Sequence, residues 1–403
     1  MTSKIIKIDF DADANRDYYC AAKFTFLKID LEASTTYNCH ASAPHPIDFN
    51  WLSTNPGQLF NTDINVSERR QMLVNQRNAS CEQNCWHAED IGAISPRQVQ
   101  HGTNKTHIEV ISTPEILDLT IGTNCNLSCS YCCKEFSSSW RNDILKNGNY
   151  SITDIGIDKR YTILPIDKVL HKLSYNKVHT GIKIQQINNE IRIWNNDLNH
   201  LIITGGEPFL DNNLIDIVES AKSIPLIEIY TGLGVSTDRF TRILQQLSLF
   251  KNVRLVISAE GIMQFLEFNR YGIKWEEFKQ KIIQIEHSGI QLKFHSTLTN
   301  LTLFGFAAFY KYFNQHQINL TFAYQPRMMS PYVLDPISKQ TILDELHGVL
   351  TSADFELVQQ VITTTPDPLQ KLNIKEFLEE FTNRRPDIDI SIFPKHFINW
   401  INE

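Results

Sequence analysis

Gly122–Lys134 reads GTNCNLSCSYCCK, and the rest of the chain is organised around it. It follows Ile116–Ile121, a short apolar stretch that reads as a strand. Three cysteines come next in C-x3-C-x2-C spacing, Cys125, Cys129 and Cys132, and a loop that tight directs three thiolates at one small volume. Thiolates are the usual ligands of iron–sulfur cubanes. A cubane has four iron corners, so three cysteines leave one iron open to a group that is not protein. Taken alone, the spacing also fits part of a zinc knuckle.

A second stretch narrows the reading. Leu201–Leu210, LIITGGEPFL, is an apolar strand that opens into Gly205, Gly206, Glu207 and Pro208. Two glycines let backbone approach a ligand where a side chain would collide, and the Glu207 carboxylate can accept a hydrogen bond from an ammonium. Val253–Glu260, VRLVISAE, is a further strand ending in polar residues, and Arg270 follows it in FNRYG. On these residues the chain resembles the radical S-adenosylmethionine (SAM) enzymes. Their signature is CxxxCxxC with an aromatic residue before the last cysteine, here Tyr131, and GGEP is their second mark.

That resemblance implies a [4Fe-4S] cluster on Cys125, Cys129 and Cys132, with SAM bound at the open iron through its amino and carboxylate groups. Reductive cleavage of SAM would give methionine and a 5′-deoxyadenosyl radical, which abstracts hydrogen from an unactivated carbon. It implies that Gly205–Pro208 bind the SAM amino group, that Ser258 and Glu260 contact the ribose, and that Arg270 meets the methionyl carboxylate. An electron donor such as flavodoxin or ferredoxin is implied as well. By the same analogy the substrate is a peptide or protein, or a small nucleotide-like molecule. The competing reading is a cysteine-rich zinc protein that uses the scaffold as a non-catalytic binding module.

Residues 1–108 form the expected first domain. Phe24–Leu31 alternates like a half-buried strand, and Ser67–Gln76 is predicted as a helix. Four cysteines lie here in two distant groups, Cys20 with Cys39 and Cys81 with Cys85. Together they could ligate one metal centre. The segment from Cys81 to Arg97, CxxxCWxxExxGxxSxR, is similar to the twitch half-domain, the shorter relative of the SPASM extension, which carries an auxiliary iron–sulfur cluster. Its other residues here are Trp86, Glu89, Gly92 and Ser95. Twitch domains follow the SAM core, whereas these cysteines precede it. A second [4Fe-4S] cluster, a structural zinc and plain buried thiols all satisfy the spacing, and the cluster leads because the chain must already be loaded with iron and sulfide. His40 and His87 lie close to these cysteines, and no histidine pair shows ligand spacing.

From 109 to 330 strands alternate with helices. Strands are predicted at Ile116–Ile121, Leu201–Thr204, Leu226–Thr231, Val253–Ser258, Gln291–Leu298 and Asn319–Tyr324, with a helical stripe at Trp275, Phe278, Ile282 and Ile285. The expected fold class is α/β, a partial (β/α)6 TIM-like barrel, because parallel strands need right-handed crossover helices. Cys125–Cys132, Gly205–Pro208, Thr231–Gly234 and Ser258–Glu260 all fall just after strands, where such barrels keep their chemistry. Residues 136–199 interrupt the pattern. Residues 136–165 are polar, Gly181–Trp194 reads as a hairpin around Asn188-Asn189, and the insertion is expected to cover the rim and contact substrate. Residues 331–403 are expected to be a helical extension, with stripes at Ile342, Leu343, Leu346, Val349 and Leu350 and at Phe377, Leu378 and Phe381.

The composition excludes several classes of function. The 403 residues with 42% apolar content can build two or three packed domains. A net charge of -7 without a long Lys/Arg run argues against a duplex nucleic acid held by its phosphates. The N-terminus lacks a signal-peptide core and no stretch reaches the roughly 20 apolar residues of a membrane span, so the expected location is the cytoplasm.

Overall fold

The computed structural model describes residues 17–90, 92, 95–99, 113–153, 159–162, 177–365 and 368–403. Its strands, in chain order, are β1 Phe26–Asp30, β2 Thr35–Tyr37, β3 His45–Pro46, β4 Ile116–Thr120, β5 Ser128–Cys129, β6 His200–Thr204, β7 Leu226–Thr231, β8 Val253–Ser258, β9 Arg270–Tyr271, β10 Gln291–Leu298 and β11 Ile318–Phe322. All six strands expected after residue 109 are present, as β4, β6, β7, β8, β10 and β11. The chain is mixed α/β, with parallel strands and many helices.

The chain divides into two compact units. The first draws on the described parts of residues 1–122, 175–205 and 212–229, the second on those of 123–174, 206–211 and 230–403. In the first, β1 pairs parallel with β4, β4 with β6 and β6 with β7, while β2 and β3 add antiparallel strands. Registers align Leu27, Leu117, Leu201 and Ile227 in one row and Ile29, Leu119, Ile203 and Ile229 in the next. All eight are 0% exposed. Side chains alternate across a strand, so these two aliphatic rows form one face of the sheet, and each buried side chain contributes about 1.5–3 kcal/mol.

In the second unit β8, β10 and β11 are parallel, and β5 and β9 form a separate antiparallel pair. The helix Trp275–Ser288 buries Trp275, Phe278, Ile282 and Ile285 as its stripe predicts. The C-terminal part is helical at Pro336–Leu346, Ser352–Ile362, Pro368–Asn383 and Lys395–Asn402. Phe377, Leu378 and Phe381 are fully buried, and the Phe377 and Phe381 rings pack on Trp140.

Three local expectations need correction. Gly181–Trp194 is not a hairpin but part of the helix Lys177–Trp194. Ile184, Ile187, Ile191 and Trp194 are buried at spacings of three and four, a helical period that overrides the Asn-Asn turn signal. The strand expected from Phe24 starts two residues later, because Ala22–Thr25 make a helical turn. The helix expected over Ser67–Gln76 runs Asp63–Leu73, capped by the Thr62 hydroxyl on the Asn65 amide. Within the long insertion, Ser138–Asn147 is a helix, while residues 154–158 and 163–176 lie outside the described residues.

Candidate iron–sulfur and SAM site

The cysteine loop is held by serines that the sequence reading passed over. Ser137 caps the helix Ser138–Asn147, and its hydroxyl donates to the Leu127 carbonyl at 2.8 Å. The Cys125 amide donates to Ser138 Oγ at 2.9 Å, Ser128 Oγ bonds Ser139 Oγ at 2.9 Å, and Trp140 Nε1 donates to the Cys129 carbonyl at 2.9 Å. SSSW therefore fixes the loop backbone that carries the thiols. Its signal lay in the N-cap pattern directly after the cysteines, where the sequence suggested only a polar insertion.

Cys129 is buried, while Cys125 and Cys132 are partly exposed. Burial pushes the Cys125 thiol up to about 12, with Cys129 adding to the shift. Cys132 is driven well above the ordinary thiol range, by burial first and then by Cys129, Cys133 and Cys125. The thiols therefore stand close enough to oppose one another's ionisation. A cluster bound here would supply the missing positive charge, and its binding would release protons.

The GGEP segment lies against this loop. The Glu207 amide donates to the Asn124 carbonyl at 2.8 Å. A Cβ on Gly206 would come within 2.6 Å of the Asn124 oxygen, so glycine is required there by the protein's own backbone. Gly205 adopts a φ of +152°, and a Cβ there would meet the Gly122 oxygen at 2.8 Å. Pro208 starts a short 3-10 turn capped by Glu207.

The Glu207 carboxylate is nearly fully buried, at 2% exposure. It accepts from Thr231 Oγ1 at 2.6 Å and from the amides of Phe209, Gly232 and Gly234 at 3.1, 3.0 and 3.3 Å. Burial pushes its pKa up, and these four donors pull against the rise. Thr231–Gly234 thus acts as the cradle of Glu207.

Ser258 ends β8 opposite His295 of β10. Glu260 and Arg270 form an ion pair, at 2.9 Å from Nε to Oε2 and 2.5 Å from Nη2 to Oε1. The pair is buried, at 1% and 6% exposure, so it is no surface bridge. Tyr131 Oη donates to Glu260 Oε1 at 2.8 Å, and Arg270 Nη1 points at Cys129 Sγ at 3.8 Å. The second unit therefore gathers Cys125, Cys129, Cys132, Tyr131, Gly206, Glu207, Pro208, Glu260 and Arg270.

In the first unit Cys20, Cys39, Cys81 and Cys85 share one core cluster with Phe24, Met72 and Trp86. Burial pushes Cys20 up to about 12, and Cys39, Cys81 and Cys85 all add to the rise. Cys81 is pushed up to about 11 by burial, opposed by the Lys23 ammonium. The other residues of the motif organise the surrounding backbone. Glu89 accepts from Ser95 Oγ at 2.5 Å and from Arg97 Nε and Nη2 at 3.0 and 2.6 Å, and Arg97 Nη1 donates to the Tyr19 carbonyl beside Cys20 at 2.8 Å. Trp86 Nε1 donates to the Asn78 carbonyl at 2.8 Å, and Gly92 takes a φ of +77°. His40 Nδ1 stands 3.5 Å from Asp118, and His87 is exposed. Among the described residues no three His, Cys, Asp or Glu side chains converge on the position of a single metal ion. A cubane does not require that convergence, because each of its thiolates caps a separate iron.

No protein-family model and no curated protein matches the chain. Among solved structures it is similar to anSMEcpe with bound AdoMet, at 14% identity over 58% of this chain and 59% of that one, with a TM-score of 0.37. It is also similar to SuiB of Streptococcus suis, at 11% identity over 83% of this chain and 71% of that one, with a TM-score of 0.38. SuiB bound to S-adenosylmethionine matches at 10% identity over 82% and 71%, with a TM-score of 0.38. The chain thus spans 59% of the length of anSMEcpe. These solved chains are radical SAM enzymes, the group that the cysteine loop and GGEP segment resemble.

Proposed function

We propose that the chain is a radical SAM enzyme, with a [4Fe-4S] cluster on Cys125, Cys129 and Cys132 and SAM at its open iron. The observation that carries this reading is the packing of the three-cysteine loop against Gly206–Pro208, with the buried Glu260–Arg270 pair reaching Cys129. When bound, the cluster and SAM supply a one-electron cleavage that yields a 5′-deoxyadenosyl radical. The protein does the rest. Ser137–Trp140 fix the loop that would hold the cluster, Glu207 fixes the turn that would bind the SAM amino group, and the burial of Cys129 would limit water at the cluster.

In this reading residues 1–108 are a twitch-like auxiliary domain, 109–330 a partial (β/α)6 barrel and 331–403 a helical extension. Cys20, Cys39, Cys81 and Cys85 ligate a second [4Fe-4S] cluster. Four cysteines complete its coordination, which assigns it electron transfer or structure instead of substrate binding. A peptide is the substrate class we favour, with flavodoxin or ferredoxin as electron donor in the cytoplasm. Among the described residues no helix is long and apolar enough to cross a membrane. SuiB has been solved bound to precursor peptide SuiA, and anSMEcpe with bound AdoMet and Cp18Cys peptide.

Changing Cys125, Cys129 and Cys132 together to Ala tests the assignment. The variant is expected to keep the auxiliary centre and to lose SAM cleavage. Cleavage that persists in it would falsify the reading.

A further inference from the structure

Arg270 is tied to the cysteine loop through both its backbone and its side chain. β5 and β9 pair antiparallel with Cys129 directly opposite Arg270, so the backbone of the arginine is in register with that of the cysteine. Its side chain turns back over the same strand. Nε and Nη2 form one bidentate edge onto Glu260, and Nη1 aims at Cys129 Sγ at 3.8 Å. The guanidinium lies 5.6 Å from the centre of the Tyr131 ring. Glu260 is itself fixed, since its Oε1 also accepts from Tyr131 Oη at 2.8 Å and the Thr297 amide at 3.2 Å. Neither member of the ion pair can swing away without orphaning buried partners.

Resting on the cluster assignment above, we propose that Arg270 is a positioning residue that sets the reduction potential of the cluster at Cys129. Reduction adds one negative charge to the cluster. A fixed cation and an N–H directed at a ligand sulfur both favour the reduced form and raise the potential. The low-dielectric surroundings, with Cys129 at 8%, Arg270 at 6% and Glu260 at 1% exposure, strengthen that field. Glu260 opposes it, but it is the Arg270 side chain, not the carboxylate, that reaches the sulfur.

The test is a redox titration of reconstituted, SAM-free protein followed by electron paramagnetic resonance, with iron per chain counted first. Wild type is compared with Arg270→Lys and with the double variant Glu260→Gln/Arg270→Gln, which leaves no orphan carboxylate. The double variant is expected to shift the one-electron reduction equilibrium about tenfold, a midpoint lower by about 59 mV. Arg270→Lys keeps the cation and the loaded loop, and its midpoint is expected to fall by a smaller step. Loaded variants with the wild-type midpoint overturn the inference. Wild-type protein that binds no cluster at the three cysteines overturns the functional reading, and this inference with it.

Discussion

Glu207 turns its carboxylate towards its own chain. The sequence marks it as an acceptor for an ammonium, and the residue type was legible because GGEP is contiguous. Its four donors were not, since three of them lie 24 to 27 residues away in Thr231–Gly234. Glu207→Gln places an amide N–H2 where backbone N–H groups already point, and a buried donor left unpaired costs about 1–3 kcal/mol. SAM affinity is therefore expected to fall by roughly 5- to 150-fold, read by equilibrium binding, with iron content unchanged. Unchanged affinity would show that the turn does not depend on this carboxylate. Glu190 offers a separate test in the first unit. It is 1% exposed and accepts from the Gly57 amide and, at 3.0 Å, from the Leu59 amide. Burial pushes its pKa up to about 7, against the pull of those amides. A carboxyl whose folded pKa lies above its unfolded value binds its proton more tightly when folded. Its stabilising effect is thus complete below the unfolded value and is lost as pH rises towards 7, by about 3 kcal/mol. Glu190→Gln is expected to flatten that slope in urea denaturation. An equal slope in both proteins would assign the pH dependence elsewhere.

Among the elements, short-range periodicity was readable and side-chain reach was not. The six strands and the Trp275–Ser288 stripe follow from patterns only a few residues wide. Asn188-Asn189 misled because a local turn signal competes with an isoleucine period that only burial reveals. On the helix Trp275–Ser288 the stripe was read but Lys281 beside it was not, because a lysine on a helix is normally a solvated one. Lys281 is 3% exposed, and its Nζ donates to the Leu233 and Val235 carbonyls at 3.0 and 2.5 Å. Those carbonyls flank Gly234, whose amide reaches Glu207. The helix therefore sets the loop, and the loop sets the carboxylate. Lys281→Met is expected to cost about 2 kcal/mol in denaturant unfolding, the scale of a charged hydrogen bond, and to weaken SAM binding without changing iron content. A destabilised variant with full SAM affinity would separate the helix from the site.

At the scale of the whole molecule, the sequence makes the chemistry visible in two short motifs while the supports come from far along the chain. Trp140 donates to the Cys129 carbonyl and packs against Phe377 and Phe381, so residues almost 240 positions further on brace the cysteine loop. No local pattern could announce that contact. The four N-terminal cysteines were legible as a group only through the spacing of Cys81 and Cys85, and they do share one core. The measurement that bears most directly on the account uses anaerobically purified, iron- and sulfide-reconstituted protein, with metal analysis, electron paramagnetic resonance, and an assay for 5′-deoxyadenosine after dithionite and SAM. The account predicts about eight irons per chain, four for each cubane, together with 5′-deoxyadenosine. About four irons with cleavage would retain the enzyme and remove the second cluster, whereas zinc alone with no cleavage would contradict the account.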